Sequence, residues 1–365
     1  MSCPGQRTYP LKKPDGHVPP VPRWQLIFGD GINAVHIAYI GFQRHSGAAA
    51  VEQAASQIID TISQYIAGGD AAPLTSEVFV VIDGNDIKDS LIWVCYWTDE
   101  TSYKHGLTQL SPSSLHASLP PDARTHIGIW LETFTLPPAR LETNYTGLDY
   151  LPGLGRLPST STEPHDITAY WGAARDRIPA SAHDLFPGGD DPQSSSSSSS
   201  LADGRGKRLV GTNANNLVHI RSGQFWEYCD EQEADAYEKN LEPTLEAGLR
   251  YLWQDRDAGA MGLRYLRNTD TDAATSPTAA KRRETCAAGF FASLDKLEAW
   301  AKTHKSHLAI YNGAMRHAKK FGSERRFRTW HEVGVLKEGE GRFEYVNCLG
   351  DTGVIRFVAL EEQAS

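Results

Sequence analysis

Two histidines in the last third of the chain place a reactive side chain in an apolar setting. His307 falls on the stripe Leu294, Leu297, Trp300, Ala301, Leu308, Tyr311 and Met315, whose spacing predicts a helix. Asp295 and Glu298 suit its early turn, because carboxylates are favoured near a helix N-terminus. His331 falls within Thr329-Trp330-His331-Glu332-Val333-Gly334-Val335, which reads as a strand with His331, Val333 and Val335 on one face. A neutral imidazole is a good axial ligand for haem iron, and a second one across a pocket can move protons near neutral pH. The ordinary alternative is a hydrogen-bonded core histidine, and periodicity alone does not separate the two. His304-Lys305-Ser306-His307 could also supply half of a zinc site, but no second pair of ligands follows at a suitable spacing.

The chain that must position these groups has 365 residues and 40% hydrophobic content, ample for a packed core. Its net charge is -9, and no basic tract is interleaved with aromatics, which argues against nucleic-acid binding. The most basic cluster, Lys319-Lys320 with Arg325-Arg326-Arg328, reads as a solvated helix end and loop. Five cysteines (Cys3, Cys95, Cys229, Cys286 and Cys348) are scattered without a Cys-x-x-Cys. That spacing argues against a disulfide scaffold or a thiolate zinc site and fits a reducing compartment. The first residues lack the apolar centre of a signal peptide, and no segment is long enough to span a membrane. The expectation is a soluble, cytoplasmic protein.

Residues 1–22 read as an extended proline-rich arm, disordered or lying on a partner subunit. A central strand follows at Val35–Ile40, then a helix along Val51, Ala55, Ile58, Ile59, Ile62, Tyr65 and Ile66. Leu91–Trp97 and Ile127–Phe134 are strands, with a short helix between them at Asp99–Leu107; Val78–Ile82 is an ambiguous strand. Further strands are expected at Asp166–Trp171, Leu217–Ile220, Met261–Leu266, Thr285–Phe291 and Phe343–Cys348. Glu231–Trp253 reads as a long helix broken near Pro243. Residues 187–206, with the serine run Ser194–Ser200, read as a low-complexity disordered loop, and Asp270–Ala280 as a second mobile loop. VCYWTDETSYKHGL is echoed by AAGFFASLDKLEAW. The echo suggests an α+β fold of two ferredoxin-like halves, 23–150 and 151–350, followed by a tail at 351–365; a plain mixed sheet without duplication is the alternative.

THKSHLAIY followed by TWHEVGV and FEYVNC resembles the C-terminal part of the haem-containing aldoxime dehydratases. LETNYTGLDYLPGLG, ITAYWGAARDRIP, NNLVHIRSGQ and LEPTLEAGLRYL agree in the same order, so the resemblance covers about Pro20 to Gly350. It implies a dimeric α+β barrel-type domain with haem b in the C-terminal half, ferrous in the active state. The implied reaction converts an aldoxime to a nitrile and water. It also implies roles: His307 as the axial iron ligand rather than its neighbour His304, and His331 as the distal acid–base group. Ser222 matches a serine that hydrogen-bonds the oxime hydroxyl; from the residues alone, Ser222-Gly223 reads as an ordinary turn. Arg177, rather than Arg175, matches an arginine of the distal site, and Glu142 a supporting glutamate whose plain reading is a solvated loop carboxylate. A serine-rich loop between Arg177 and Ser222 and extra residues around Gly322–Arg326 depart from the family pattern. A haem oxidoreductase using peroxide with the same axial histidine is the competing enzyme class.

Overall fold

The computed structural model describes residues 7–47, 49–188, 203–269 and 282–364. The serine run and the 270–280 segment lie outside these residues. The first part of the chain forms β1 (Arg23–Phe28), β2 (Val35–Arg44), α1 (Ala49–Gly68), β3 (Thr75–Gly84), β4 (Leu91–Trp97), α2 (Glu100–Gln109), α3 (Pro112–Ser118), α4 (Pro121–Arg124), β5 (Ile127–Leu136), β6 (Leu141–Tyr145), β7 (Thr160–His165) and α5 (Ala173–Arg177). The second forms β8 (Asp203–Thr212), β9 (Leu217–Phe225), α6 (Glu231–Asn240), α7 (Glu242–Gln254), β10 (Ala260–Thr269), β11 (Glu284–Phe291), α8 (Leu294–Thr303), α9 (Lys305–Phe321), β12 (Arg328–Leu336), β13 (Gly341–Leu349) and β14 (Glu361–Gln363).

Among the described residues these strands make one antiparallel sheet, in the order β14-β8-β13-β5-β2-β4-β3-β10-β11-β9-β12-β6-β1-β7. This is a mixed α/β fold. Two quartets inside the sheet, β5-β2-β4-β3 and β12-β9-β11-β10, share one connection pattern and abut through β3 and β10. Helices cover their outer faces, because α1, α7 and α8 each offer an apolar stripe. The inner face holds the largest core cluster, including Tyr39, Tyr96, Trp130, Phe290 and Trp330.

Both quartets end on a Trp-x-Glu strand. Trp130 lies opposite Gly41 of β2, and Trp330 opposite Gly223 of β9. A Cβ added at either glycine would overlap the facing indole. Gly223 therefore sits in the middle of a strand, and the turn expected at Ser222-Gly223 is absent. Gly223→Ala should destabilise the fold by about 1–3 kcal/mol through overpacking, seen as a lower urea midpoint. An unchanged midpoint would mean the indole can move aside.

The quartets also exchange extensions. β5 runs through Pro137–Arg140 into β6, which pairs with β12; β12 turns back into β13, which pairs with β5. Strands on either side of residue 150 are thus interleaved.

Several expected boundaries move. Asp166–Trp171 is not a strand: β7 ends at His165, and the backbone turns left-handed at Ala169 (φ 61°) and Gly172 (φ 100°). The helix across His307 is two helices, divided at His304. β8 begins at Asp203, inside the span assigned to the serine-rich loop. In the tail, Val354 and Ile355 join the core and β14 pairs with β8. The arm lies on its own chain from Thr8, whose amide donates to the Ala182 carbonyl at 2.9 Å; the Lys12 amide donates to Asp176 Oδ2 at 2.7 Å. The basic cluster is not wholly solvated, since Arg325 is half-buried and Arg328 pairs with Asp149 at 2.8 Å. Among the described residues no helix is long and apolar enough to cross a membrane.

Candidate active site

The β-ladder brings the candidate residues to one face. His331 lies directly opposite Ser222 of β9 on one side and Asn144 of β6 on the other. Glu142 is opposite Val333, two residues along. Paired residues of adjacent strands project to the same side, so all four side chains meet on the face covered by α6–α9. Between that face and the helices lies a cavity of about 470 Å³. Leu245, Leu249, Phe291, Leu297, Trp300 and Met315 make much of its wall. His307 enters from α9 on the helical side, and His331 from the sheet.

His307 stands between two indoles, with ring centroids 4.7 Å from Trp300 and 6.1 Å from Trp171. Its Nδ1 is buried without a hydrogen-bond partner among the described residues. Burial lowers its pKa, opposed by the Ala301 carbonyl, so the ring is neutral at pH 7. His304 differs. It is the N-cap of α9, its Nδ1 accepting from the Ser306 amide at 3.3 Å, and its ring stacks on Tyr251 at 3.7 Å. It does not line the cavity.

The two arginines of the ARDR stretch separate as clearly. Arg175 ties α5 to α8 through Asp295 at 2.6 Å and Glu298 at 3.1 Å. Arg177 donates from Nε and Nη2 to the Glu142 carboxylate at 2.8 and 3.0 Å, and from Nη1 to the Ile167 carbonyl at 2.7 Å. Glu142 is a fully buried strand residue, not a solvated loop carboxylate. Arg177 Nη2 also lies 2.9 Å from His331 Nε2. A guanidinium only donates, so Nε2 accepts and the proton of the neutral ring sits on Nδ1. His331 keeps 31% of its side chain open to the cavity. Burial, then Arg177 and Arg23, hold its pKa well below the usual imidazole value. Burial raises the pKa of Glu142, and Arg177 opposes that rise.

Asn144 and Arg23 also line the cavity and were not anticipated. Asn144 stands in the same LETNY stretch as Glu142; its Oδ1 lies 3.2 Å from His165 Nε2. Arg23 opens β1 directly after the prolines, where the alternation of RWQLIF was the available signal.

The donor set restricts what metal could bind. Among the described residues no group of three His, Cys, Asp or Glu can hold a bare ion. One free imidazole facing an apolar cavity suits a metal that brings its own equatorial ligands, as haem does. The residues present fit that group.

His331 with its Arg177–Glu142 partners on the sheet, facing an unpartnered imidazole across an apolar cavity, is an arrangement that suits cofactor-dependent elimination or redox chemistry. The chain belongs to the haem-containing dehydratase family, whose model matches residues 38–354. It is 30% identical to an aliphatic aldoxime dehydratase of a Pseudomonas species, over 98% of this chain and 96% of that one. It is 27% identical to a phenylacetaldoxime dehydratase of Bacillus sp. (strain OxB-1), over 96% and 95%. An aldoxime dehydratase solved in complex with butyraldoxime superposes with a TM-score of 0.79 and 27% identity, covering 98% of this chain and 94% of that one.

Proposed function

We propose that this protein dehydrates aldoximes to nitriles, with haem b held by His307 and proton transfer carried by His331. The observation that carries the reading is the placement of both imidazoles on one apolar cavity, from opposite walls. Family membership and the aldoxime dehydratases it resembles support the substrate class. The reaction takes R–CH=N–OH to R–C≡N and water: the N–O bond breaks, and the carbon proton leaves. Held there by His307 in its ferrous form, haem would supply an electron-rich iron able to weaken the N–O bond of the oxime.

The protein's own groups handle the protons. Hydroxide leaves readily only when protonated, and His331 is the group placed to protonate it. A doubly protonated ring cannot accept from Arg177, so its Nε2–H turns to Glu142 Oε1, 3.4 Å away. Nδ1–H is then the proton given to the departing hydroxyl, and the neutral ring left behind, still protonated at Nε2, takes the carbon proton at Nδ1. Ser222, the cross-strand neighbour of His331, orients the hydroxyl. Arg177 holds Glu142 and the ring in place, and the aliphatic wall excludes water.

Glu142 favours the charged ring and Arg177 opposes it. Glu142→Gln removes the favourable charge and leaves Arg177 unopposed, so the folded pKa of His331 falls further. The protonated ring is then lost at a lower pH. The alkaline limb of kcat/KM should move to lower pH, with activity at neutral pH reduced. An unmoved or alkaline-shifted limb contradicts this arrangement.

The duplicated ferredoxin-like reading is supported by the shared strand order of the quartets and by their paired Trp-x-Glu and glycine positions. Leu131 takes the place of His331 in the first half, so the site belongs to the second. A cytoplasmic homodimer completes the reading; the buried free thiols Cys95, Cys229, Cys286 and Cys348 suit a reducing compartment. The deciding experiment supplies phenylacetaldoxime or butyraldoxime to haem-loaded, dithionite-reduced protein without oxygen. Nitrile should form; its absence from every aldoxime, or a need for peroxide, refutes the proposal.

A further inference from the structure

Arg23 reaches the same cavity from β1. Among the described residues its side chain makes one hydrogen bond, from Nη1 to the carbonyl of neighbouring Pro22, at 3.0 Å. Two carboxylates share the cavity wall with it, and both are committed elsewhere. Glu142 is held by Arg177 through two bonds of 2.8 and 3.0 Å. Glu298 is held by Arg175 at 3.1 Å and Lys12 at 3.4 Å. His165, opposite Arg23 in the β1–β7 ladder, offers no charge, since burial and Arg177 push its pKa down to about 4. Arg23 is thus without a counter-ion among the described residues.

A half-buried guanidinium in an apolar wall gives up hydration that nothing in the wall replaces. Burial, with the charges of Arg325 and Arg177, lowers its pKa to about 10, which still leaves it charged at neutral pH. Among the described residues the cavity therefore presents apolar surface and, in Arg23, a cation without a counter-ion. Haem b has complementary chemistry: a broad apolar ring system with two propionate carboxylates. A guanidinium binds a carboxylate through two parallel hydrogen bonds, which a lysine cannot reproduce.

We propose that Arg23 is the seat for a carboxylate carried by the cavity's occupant, and that haem propionate is its source. This rests on the haem reading above. An aldoxime bearing its own carboxylate has the same chemistry, and the test separates the two.

The full-length protein, its Arg23→Leu variant and its Arg23→Lys variant are titrated with hemin and with hemin dimethyl ester, followed by the Soret band. The wild type should prefer hemin to the ester. Arg23→Leu should weaken hemin binding by at least about tenfold and leave the ester nearly unaffected. Arg23→Lys should recover part of the loss. In the second arm, glyoxylate oxime and butyraldoxime are titrated against haem-loaded protein. A loss in Arg23→Leu confined to glyoxylate oxime assigns the seat to substrate. If Arg23→Leu changes neither preference, the seat is refuted. Should that variant not fold, equal wild-type affinity for hemin and its ester, with no preference for glyoxylate oxime, refutes it equally. A wild type that takes up neither porphyrin refutes the haem reading instead.

Discussion

Replacing His331 by alanine should lower aldoxime turnover by about 10²–10⁴-fold, the range of a lost general acid–base group. Haem uptake should persist. The substitution removes a side chain from a face of β12, whose ladder to β9 and β6 is made by backbone. It leaves the Arg177–Glu142 pair closed on itself, so no buried charge is left unpaired. The fold and the His307 wall are therefore undisturbed, and the loss reports proton transfer alone. The measurement pairs a Soret spectrum with nitrile quantification at single-turnover and steady-state levels. Wild-type turnover in a haem-loaded His331→Ala protein would assign the proton transfers to another group.

The second large effect concerns the opposite wall. His307→Ala should abolish stable axial ligation, seen as loss of the reduced-state spectrum and a large fall in hemin affinity, with turnover lost as a consequence. Alanine favours the helix, so α9 should remain formed. The imidazole leaves a gap between Trp300 and Trp171, and added free imidazole should enter it and restore part of the spectrum. His304→Ala is the control. It removes an N-cap, worth about 1 kcal/mol, and leaves the spectrum unchanged. If His304→Ala abolished ligation and His307→Ala did not, the two neighbours would have to exchange roles.

Local spacing showed both imidazoles and most long strands, because burial of one face imposes a period on the residues themselves. Features set by distant partners did not show. Gly223 looks like a turn residue, yet its reason is an indole more than a hundred positions away. β6 is only five residues long and follows a pair of prolines, so LETNY carries too little alternation to declare a strand. The opposite error arose at Asp166–Trp171, where apparent alternation hides a left-handed break at Ala169. Glu142 reads as a loop carboxylate until Arg177 is folded against it, and Arg175 differs from Arg177 only in which acids it meets. Glu142, Arg177 and Ser222 were named through the family resemblance alone; the geometry then supplies a physical difference between Arg177 and Arg175.

The exchange of strand extensions between the quartets bears on how this protein is made. The carboxylate leaves the ribosome some two hundred residues before the imidazole it faces, on a segment whose neighbour β12 is yet to be synthesised. Until β12 has been made, a buried acid and its arginine must wait beside an unfilled gap in the sheet. A transcript cut before β12 would yield a nascent chain in which the acid has no facing imidazole, so capture of the pigment by a complete site must follow synthesis of that strand.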